Sequence, residues 1–293
     1  MRSYSTARLQ NNDMPGTLYV VATPIGNLED ITHRALRVLR EVDIIACEDT
    51  RHTRKLLNHY GIKTKVTSYH DHNERERTVE LLQALASGSN VAIVSDAGTP
   101  SISDPGFRLV SEAGAQDIPV VALPGPTALI AALVASGLPT DEFFFAGFLP
   151  ARSGERRARL TKLRDLPATL IFYEAPHRIA ATLRDAREIL GERRAVVARE
   201  LTKIHEEIAR GRLSELAERF GSEERARGEI VLLVDRTPLE SEQDVGEVRS
   251  LATLVAGFEA EGLDHRAALK KAARELGLSR AEAYRRLIAE REK

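Results

Sequence analysis

The chain carries one cysteine, Cys47, in 293 residues, so neither a disulfide framework nor a cysteine-built zinc site is open to it. That scarcity fits a reducing cytoplasm. No uninterrupted apolar run reaches the roughly 20 residues that cross a bilayer, and none is expected to meet a membrane. Residues 1–15 lack the apolar centre of a signal peptide and read as a disordered leader. An excess of one charge is missing too: 42 Lys and Arg face 43 Asp and Glu, a formal net charge of −1. Any grip on nucleic acid must therefore come from local basic patches. Neither G-x-G-x-x-G nor G-x-x-x-x-G-K-[ST] occurs, which disfavours a dinucleotide or ATP phosphate site. Histidine spacings of the metal-binding kind are absent, so no metal is expected.

What is present is a soluble globular composition, 43% hydrophobic and 29% charged, long enough to favour two domains. Short β-branched runs alternate with helical periods through the first half and predict parallel βαβ units. Strands are expected at 17–22, 43–47, 65–69, 91–95 and 120–123, with helices near 32–41, 51–60, 74–87 and 105–114. Turn residues at Ser136-Gly-Leu-Pro-Thr140 close this first α/β domain, 16–136. A second, 137–236, has strands at 143–145, 169–173, 195–199, 206–211 and 229–234. The adjacent strands around Arg199 to Gly211 suggest a hairpin and so a mixed sheet. Residues 235–250 hold five acids, two basic residues and a proline and read as a solvated linker, with 237–250 as the segment between the second domain and the tail. The tail, 251–293, has Gly277 between two amphipathic helices and Ser279 as an N-cap, a helix-turn-helix pattern.

Three strand ends carry unusual loops: Thr23-Pro-Ile-Gly-Asn-Leu-Glu-Asp30, Ser95 to Gly106, and Leu123-Pro-Gly-Pro-Thr127. A parallel sheet brings such ends to one edge, where they line a single cleft. Their prolines remove N–H donors that a phosphate cradle would use, which suits a ligand of lower negative charge. At a fourth strand end, Glu48-Asp-Thr-Arg-His-Thr-Arg-Lys55, Asp49 or Thr50 caps a helix. The cations Arg51, His52, Arg54 and Lys55 then oppose its dipole and hint at an anionic partner. Six basic residues between Arg152 and Arg164, Arg152, Arg156 and Arg157 among them, read as a solvated face or a phosphate grip.

Together with Phe172-Tyr-Glu-Ala-Pro-His-Arg178 and Arg199-Glu-Leu-Thr-Lys-Ile-His-Glu-Glu207, these loops resemble the tetrapyrrole methylase-fold family, and within it the ribosomal RNA ribose methylases. The motifs run in matching order from Gly16 to about Asp235. The resemblance implies two α/β domains, S-adenosylmethionine in the cleft between them, and a homodimer. It implies 2′-O-methylation of a cytidine ribose in the decoding region of 16S rRNA, within the small ribosomal subunit. Corrin-synthesising relatives carry Gly-Asp-Pro where this chain has Gly98-Thr-Pro100, so no acidic cofactor ligand is carried over to Thr99. The expected cofactor set is Pro24 and Gly26, then Asp96, Gly98, Thr99 and Ile102, then Thr127, Ala128, Tyr173, Glu174, Gly228 and Glu229. The expected RNA contacts are Arg51, Arg54, Lys55, Arg152, Arg156, Arg157, His177 and Arg178.

A ribose hydroxyl is a poor nucleophile until its proton leaves, so a general base or an oxyanion-stabilising cation is required. Glu48 or Asp49 could serve as base with Lys203 as stabiliser, or Lys203 itself if burial lowers its pKa. Lys203 and Glu48 rank first. Two other readings remain: a tetrapyrrole C-methyltransferase, in which Arg51 and Arg178 would bind substrate carboxylates, and a non-catalytic rRNA-binding protein that uses the tail and the arginine run.

Overall fold

The computed structural model describes residues 14–222, 228–238, 251–260 and 262–275, then Leu278, Ser279, Glu282, Ala283, Arg285 and Leu287. The leader and the greater part of the expected linker lie outside the described residues. Two compact units result, one ending at Pro238 and the other formed by the tail. Among the described residues no helix is long and apolar enough to cross a membrane.

The first sheet is parallel throughout, built from β1 (Leu18–Val21), β2 (Ile44–Cys47), β3 (Lys65–Ser68), β4 (Val91–Val94) and β5 (Val120–Leu123) in the order β3-β2-β4-β1-β5. All four residues of β4, Val-Ala-Ile-Val, are buried. A parallel strand covered on both faces needs such an unbroken apolar run. The crossovers are α1 (His33–Glu41), α2 (Thr50–His59), α3 (Glu74–Ala86) and α4 (Phe107–Ala115), and α5 (Ala128–Ser136) leads out of the sheet. β1 and β4 are neighbours whose outgoing connections run to opposite sides, toward β2 and β5. A crevice opens at such a switch point, beyond the strand carboxyl ends.

The second sheet is mixed, with β6 (Phe143–Phe148), β7 (Thr169–Glu174), β8 (Arg193–Arg199), β9 (Glu207–Arg212) and β10 (Ile230–Pro238) ordered β6-β7-β10-β8-β9. Only β6 and β7 pair in parallel; β8 and β9 form the expected hairpin. One apolar cluster joins this sheet to α6 (Ser153–Leu163), α7 (Ile179–Leu190) and α8 (Leu213–Ser222). A second cluster joins Leu129, Ala132 and Leu133 of α5 to Ile171, Val196, Val231 and Leu233. That shared core fixes the two sheets against each other, which is why α5, Ala-Leu-Ile-Ala-Ala-Leu-Val-Ala-Ser, is apolar almost all round.

The strand expected to end at Val234 continues to Pro238, so Asp235 is not linker. Its carboxylate accepts from Arg194 Nε at 3.0 Å and Nη2 at 2.7 Å, while Arg193 Nη1 donates to its carbonyl at 3.2 Å. An acidic residue counted by charge alone looks solvated, yet two arginines supply what burial requires.

In the tail, α9 (Leu251–Ala260) and α10 (His265–Glu275) pack through Leu251, Val255, Phe258, Ala268 and Ala272, with Ala283 and Leu287 in the same cluster. Ser279 Oγ accepts from Glu282 N at 3.3 Å, the cap expected of it, and Gly277 lies outside the described residues. α9 precedes the helix-turn-helix pattern and makes the module larger than a helical pair.

Candidate active-site cleft

The loop after β4 is held by its own backbone. Thr23 and Gly98 form an isolated bridge, Thr23 N donating to Gly98 O at 2.8 Å and Gly98 N returning to Thr23 O at 3.0 Å. Four residues adopt the left-handed region: Gly98 (φ 79°), Ser101 (φ 69°), Ser103 (φ 64°) and Gly106 (φ 136°). A serine there costs about 1–2 kcal/mol, and strain of this kind persists where a ligand loop needs its shape. At Gly106 a Cβ would also sit 2.6 Å from Ser101 Oγ. Thr99 Oγ1 donates to Pro126 O at 3.1 Å, so its side chain ties two loops together and leaves its backbone to the cleft.

A cavity of about 330 Å³ opens against this loop. Asp96, Gly98, Thr99 and Ile102 form one wall; Thr127 and Ala128, at the start of α5, continue it. The opposite wall comes from the second sheet: Tyr173 and Glu174 end β7, and Gly228 and Glu229 precede β10. Ten of the twelve residues expected around the cofactor thus meet in one place. Pro24 and Gly26 do not; they line an adjoining cavity of about 360 Å³ with His52, Lys55 and Lys203. Ile25, Asp96, Ala97 and Glu229 belong to both cavities.

Sequence reasoning passed over Asp104, Phe148 and Leu201, which also line the first cavity. Phe148 stacks edge-on against Tyr173, ring centroids 5.6 Å apart, on a strand whose Phe-rich sequence reads as core. Asp104 stands in the quoted Ser103-Asp-Pro-Gly106 run, and nothing in the spacing shows that it faces the cleft.

Burial, then the charges of Glu48 and Asp96, push the Asp104 carboxyl up to about 6. Burial and the charges of Asp96 and Asp71 likewise raise Glu48. Glu48 lines neither cavity and acts on them only through its field. Asp49 is the N-cap of α2 and accepts from Arg51 N at 2.7 Å; its hydrogen bonds with Arg51 hold it at about 2, which makes it a poor base.

Lys203 Nζ lies 2.7 Å from Glu200 Oε1 and 3.3 Å from Glu229 Oε2. Burial alone would lower its pKa, but hydrogen bonds and charge from the two glutamates outweigh it and the net shift is upward. Lys203 is therefore a fixed cation, which corrects the expectation that it could serve as a neutral base.

The expected RNA contacts divide. Arg54 and Lys55 are exposed on α2, and His177 is exposed on a single 3-10 turn, Pro176–Arg178. Arg51 and Arg152 are exposed as well, each beside an acid, Asp49 at 2.9 Å and Glu155 at 3.4 Å. Arg157 pairs with Asp185 at 3.6 Å and with Glu188. Arg156 is a correction: its side chain is only 5% exposed and lies 2.6 Å from Asp185, so it cannot reach a phosphate. Arg178 is another. Its Nη2 donates to Leu149 O at 2.5 Å and pairs with Glu174 at 2.9 Å, and the Glu174 carboxylate also accepts from Thr182 Oγ1 at 2.6 Å. Glu174 thus offers the cleft its backbone, with its carboxylate spent on α7.

A parallel sheet and a mixed sheet meeting around a glycine-rich donor cleft define a two-domain methylase architecture. The family profile described as Tetrapyrrole (Corrin/Porphyrin) Methylases matches residues 17–217, and the chain belongs to that family. It is 48% identical over 272 residues to "Ribosomal RNA small subunit methyltransferase I" of Mesorhizobium japonicum, covering 92% of this chain and 91% of that one. The protein of the same name from Halalkalibacterium halodurans is 47% identical over 277 residues, 94% and 96% of the two chains. Among solved structures, the uroporphyrin-III C-methyltransferase of Thermus thermophilus, complexed with S-adenosylhomocysteine, superposes with a TM-score of 0.53 at 22% identity, covering 75% of this chain and 98% of that one. A diphthine synthase reaches 0.60 at 17% identity, over 76% and 92%.

Proposed function

We propose that this chain uses S-adenosylmethionine to methylate the ribose 2′-oxygen of a cytidine in the decoding region of 16S rRNA, as a cytoplasmic homodimer. The observation that carries the reading is a pair of adjoining cavities of unlike chemistry that share Asp96. The first fits the cofactor: it has backbone cradles at Gly98 and Thr127, and it is lined by Asp96 and Asp104, which have no ion-pair partner among the described residues and suit a sulfonium and an ammonium. The second is lined by His52, Lys55 and Lys203, suited to a phosphodiester and its ribose.

When bound, the cofactor supplies an electrophilic methyl group that an aligned oxygen can accept. Asp96 Oδ1 is held by Asp49 N at 3.1 Å, which leaves Oδ2 to take the proton from the ribose hydroxyl at the junction of the cavities. Lys203, kept charged between Glu200 and Glu229, stabilises the oxygen as that proton leaves. Pro24 and Gly26 shape the acceptor side, and Tyr173 with Phe148 keeps water from the donor side.

A tetrapyrrole acceptor is less well served. The arginines that would bind its carboxylates, Arg51 and Arg178, lie against Asp49 and Glu174. Calorimetry with S-adenosylmethionine tests the donor site. Transfer of a labelled methyl to small ribosomal subunits, set beside a uroporphyrinogen acceptor, tests the rest, and label only on the tetrapyrrole would overturn the reading. Light scattering tests the dimer.

A further inference from the structure

The apex of the β8–β9 hairpin carries Ile204, 97% exposed, immediately after Lys203 of the acceptor cavity. A single exposed aliphatic residue is ordinary. This one stands on a strained and doubly fastened loop. Glu200 (φ 52°) and Thr202 (φ 65°) are left-handed without being glycine. Thr202 N donates to Glu206 Oε2 at 2.6 Å, and Thr202 Oγ1 accepts from Asn27 N at 3.1 Å across to the first domain. The loop also presses on Gly26, where a Cβ would lie 2.5 Å from Lys203 Cγ and 2.9 Å from Leu201 O. The base of the loop is therefore rigid, and its tip presents a branched hydrocarbon to solvent one residue beyond Lys203, which lines the acceptor cavity together with His52 and Lys55.

Resting on the ribose-methylation reading, we propose that Ile204 is a wedge: it enters the RNA stack beside the target nucleotide while the neighbouring cations hold its phosphates, so that the ribose swings into the cavity behind Lys203. Apolar side chains inserted between bases act in this way elsewhere, and a nucleotide must leave its stack to be reached deep in a cleft. An RNA single strand or helix is the partner that both the cations and the apolar tip fit.

The test uses the full-length protein and small ribosomal subunits, with wild type, Ile204→Ala and Ile204→Leu. Single-turnover transfer in Ile204→Ala should fall by about tenfold or more while KM changes by less than about threefold, because unstacking belongs to the transition toward reaction and phosphate contacts set affinity. Ile204→Leu should restore most of the rate, and calorimetric affinity for S-adenosylmethionine should be the same in all three. Transfer by Ile204→Ala within about twofold of wild type, or a loss not restored by leucine, would overturn the wedge and leave the methylation reading standing. Failure of wild type itself to label RNA would overturn both.

Discussion

Charges on the two sides of the cleft are treated in opposite ways. In the second sheet and its helices they are paired: Arg156 with Asp185 at 2.6 Å, Arg178 with Glu174 at 2.9 Å, Lys203 with Glu200 at 2.7 Å. On the first-sheet side, Glu48, Asp96 and Asp104 have no salt-bridge partner among the described residues; the charge of Asp96 raises both Glu48 and Asp104, and that of Glu48 raises Asp104 further. These three are half-buried, and a partly desolvated charge without a counter-charge costs stability, which a ligand of opposite sign would offset. The paired side builds walls, and the unpaired side is set to receive a cation.

The sharpest way to break this contrast is to unpair the paired side. Arg156→Ala takes the close guanidinium from the buried Asp185, leaving it Arg157 at 3.6 Å and Ser153, and should cost about 3 kcal/mol, read as a large fall in the denaturation midpoint. Unchanged stability would show that the pair contributes nothing to the fold. Next in size is Lys203→Ala. Removing a stabilising cation should slow methyl transfer by about 100-fold or more while donor affinity changes little. Equal losses in both would make Lys203 a donor-site residue.

Much of this contrast could not be read from the sequence. The strand and helix order was legible because β-branched runs such as Val91-Ala-Ile-Val94 and the capped helices report local physics. The cleft loops were legible because glycine and proline clusters stand at strand ends. Pairing was not, since Arg156 and Asp185 are 29 positions apart and a basic run looks solvated until its partner is known. Asp235, 41 positions from Arg194, misled for the same reason; Arg178 has its acid, Glu174, only four positions away, and there spacing does not show that the strand end turns the two side chains together. Asp104 escaped for the reverse one: its importance lies in what it lacks, and a missing partner leaves no mark in spacing.

The unpaired side gives a pH-dependent prediction. Asp104 has a folded pKa of about 6, above its unfolded value, so the native state binds more protons than the unfolded one between about pH 4 and 6. Stability should therefore fall as pH rises through that window. Asp104→Asn removes the cost and should stabilise the protein at neutral pH by about 1 kcal/mol once solvent screening is allowed for, near 2 °C in the midpoint. Donor affinity should move the other way, improving in wild type as pH rises through about 6 and becoming weaker and flatter in Asp104→Asn. A variant that gained stability and kept full donor affinity would show that the acid is strained without serving the ligand.

The smallest expected effect concerns the acceptor cavity. Lys55 lines it, is exposed and carries no ion pair among the described residues, so it should act on phosphate through simple attraction. Lys55→Ala should weaken RNA binding by a few-fold at physiological salt and lower the slope of log K against log salt by about 1, with donor affinity and single-turnover rate unchanged. Because Ile204 is argued to act on the rate and Lys55 on affinity, the two variants should separate cleanly. A Lys55→Ala loss that persists at high salt would mean that the lysine shapes the cavity and does not merely attract its ligand, and the cationic character assigned to that side would then rest on Lys203 and His52.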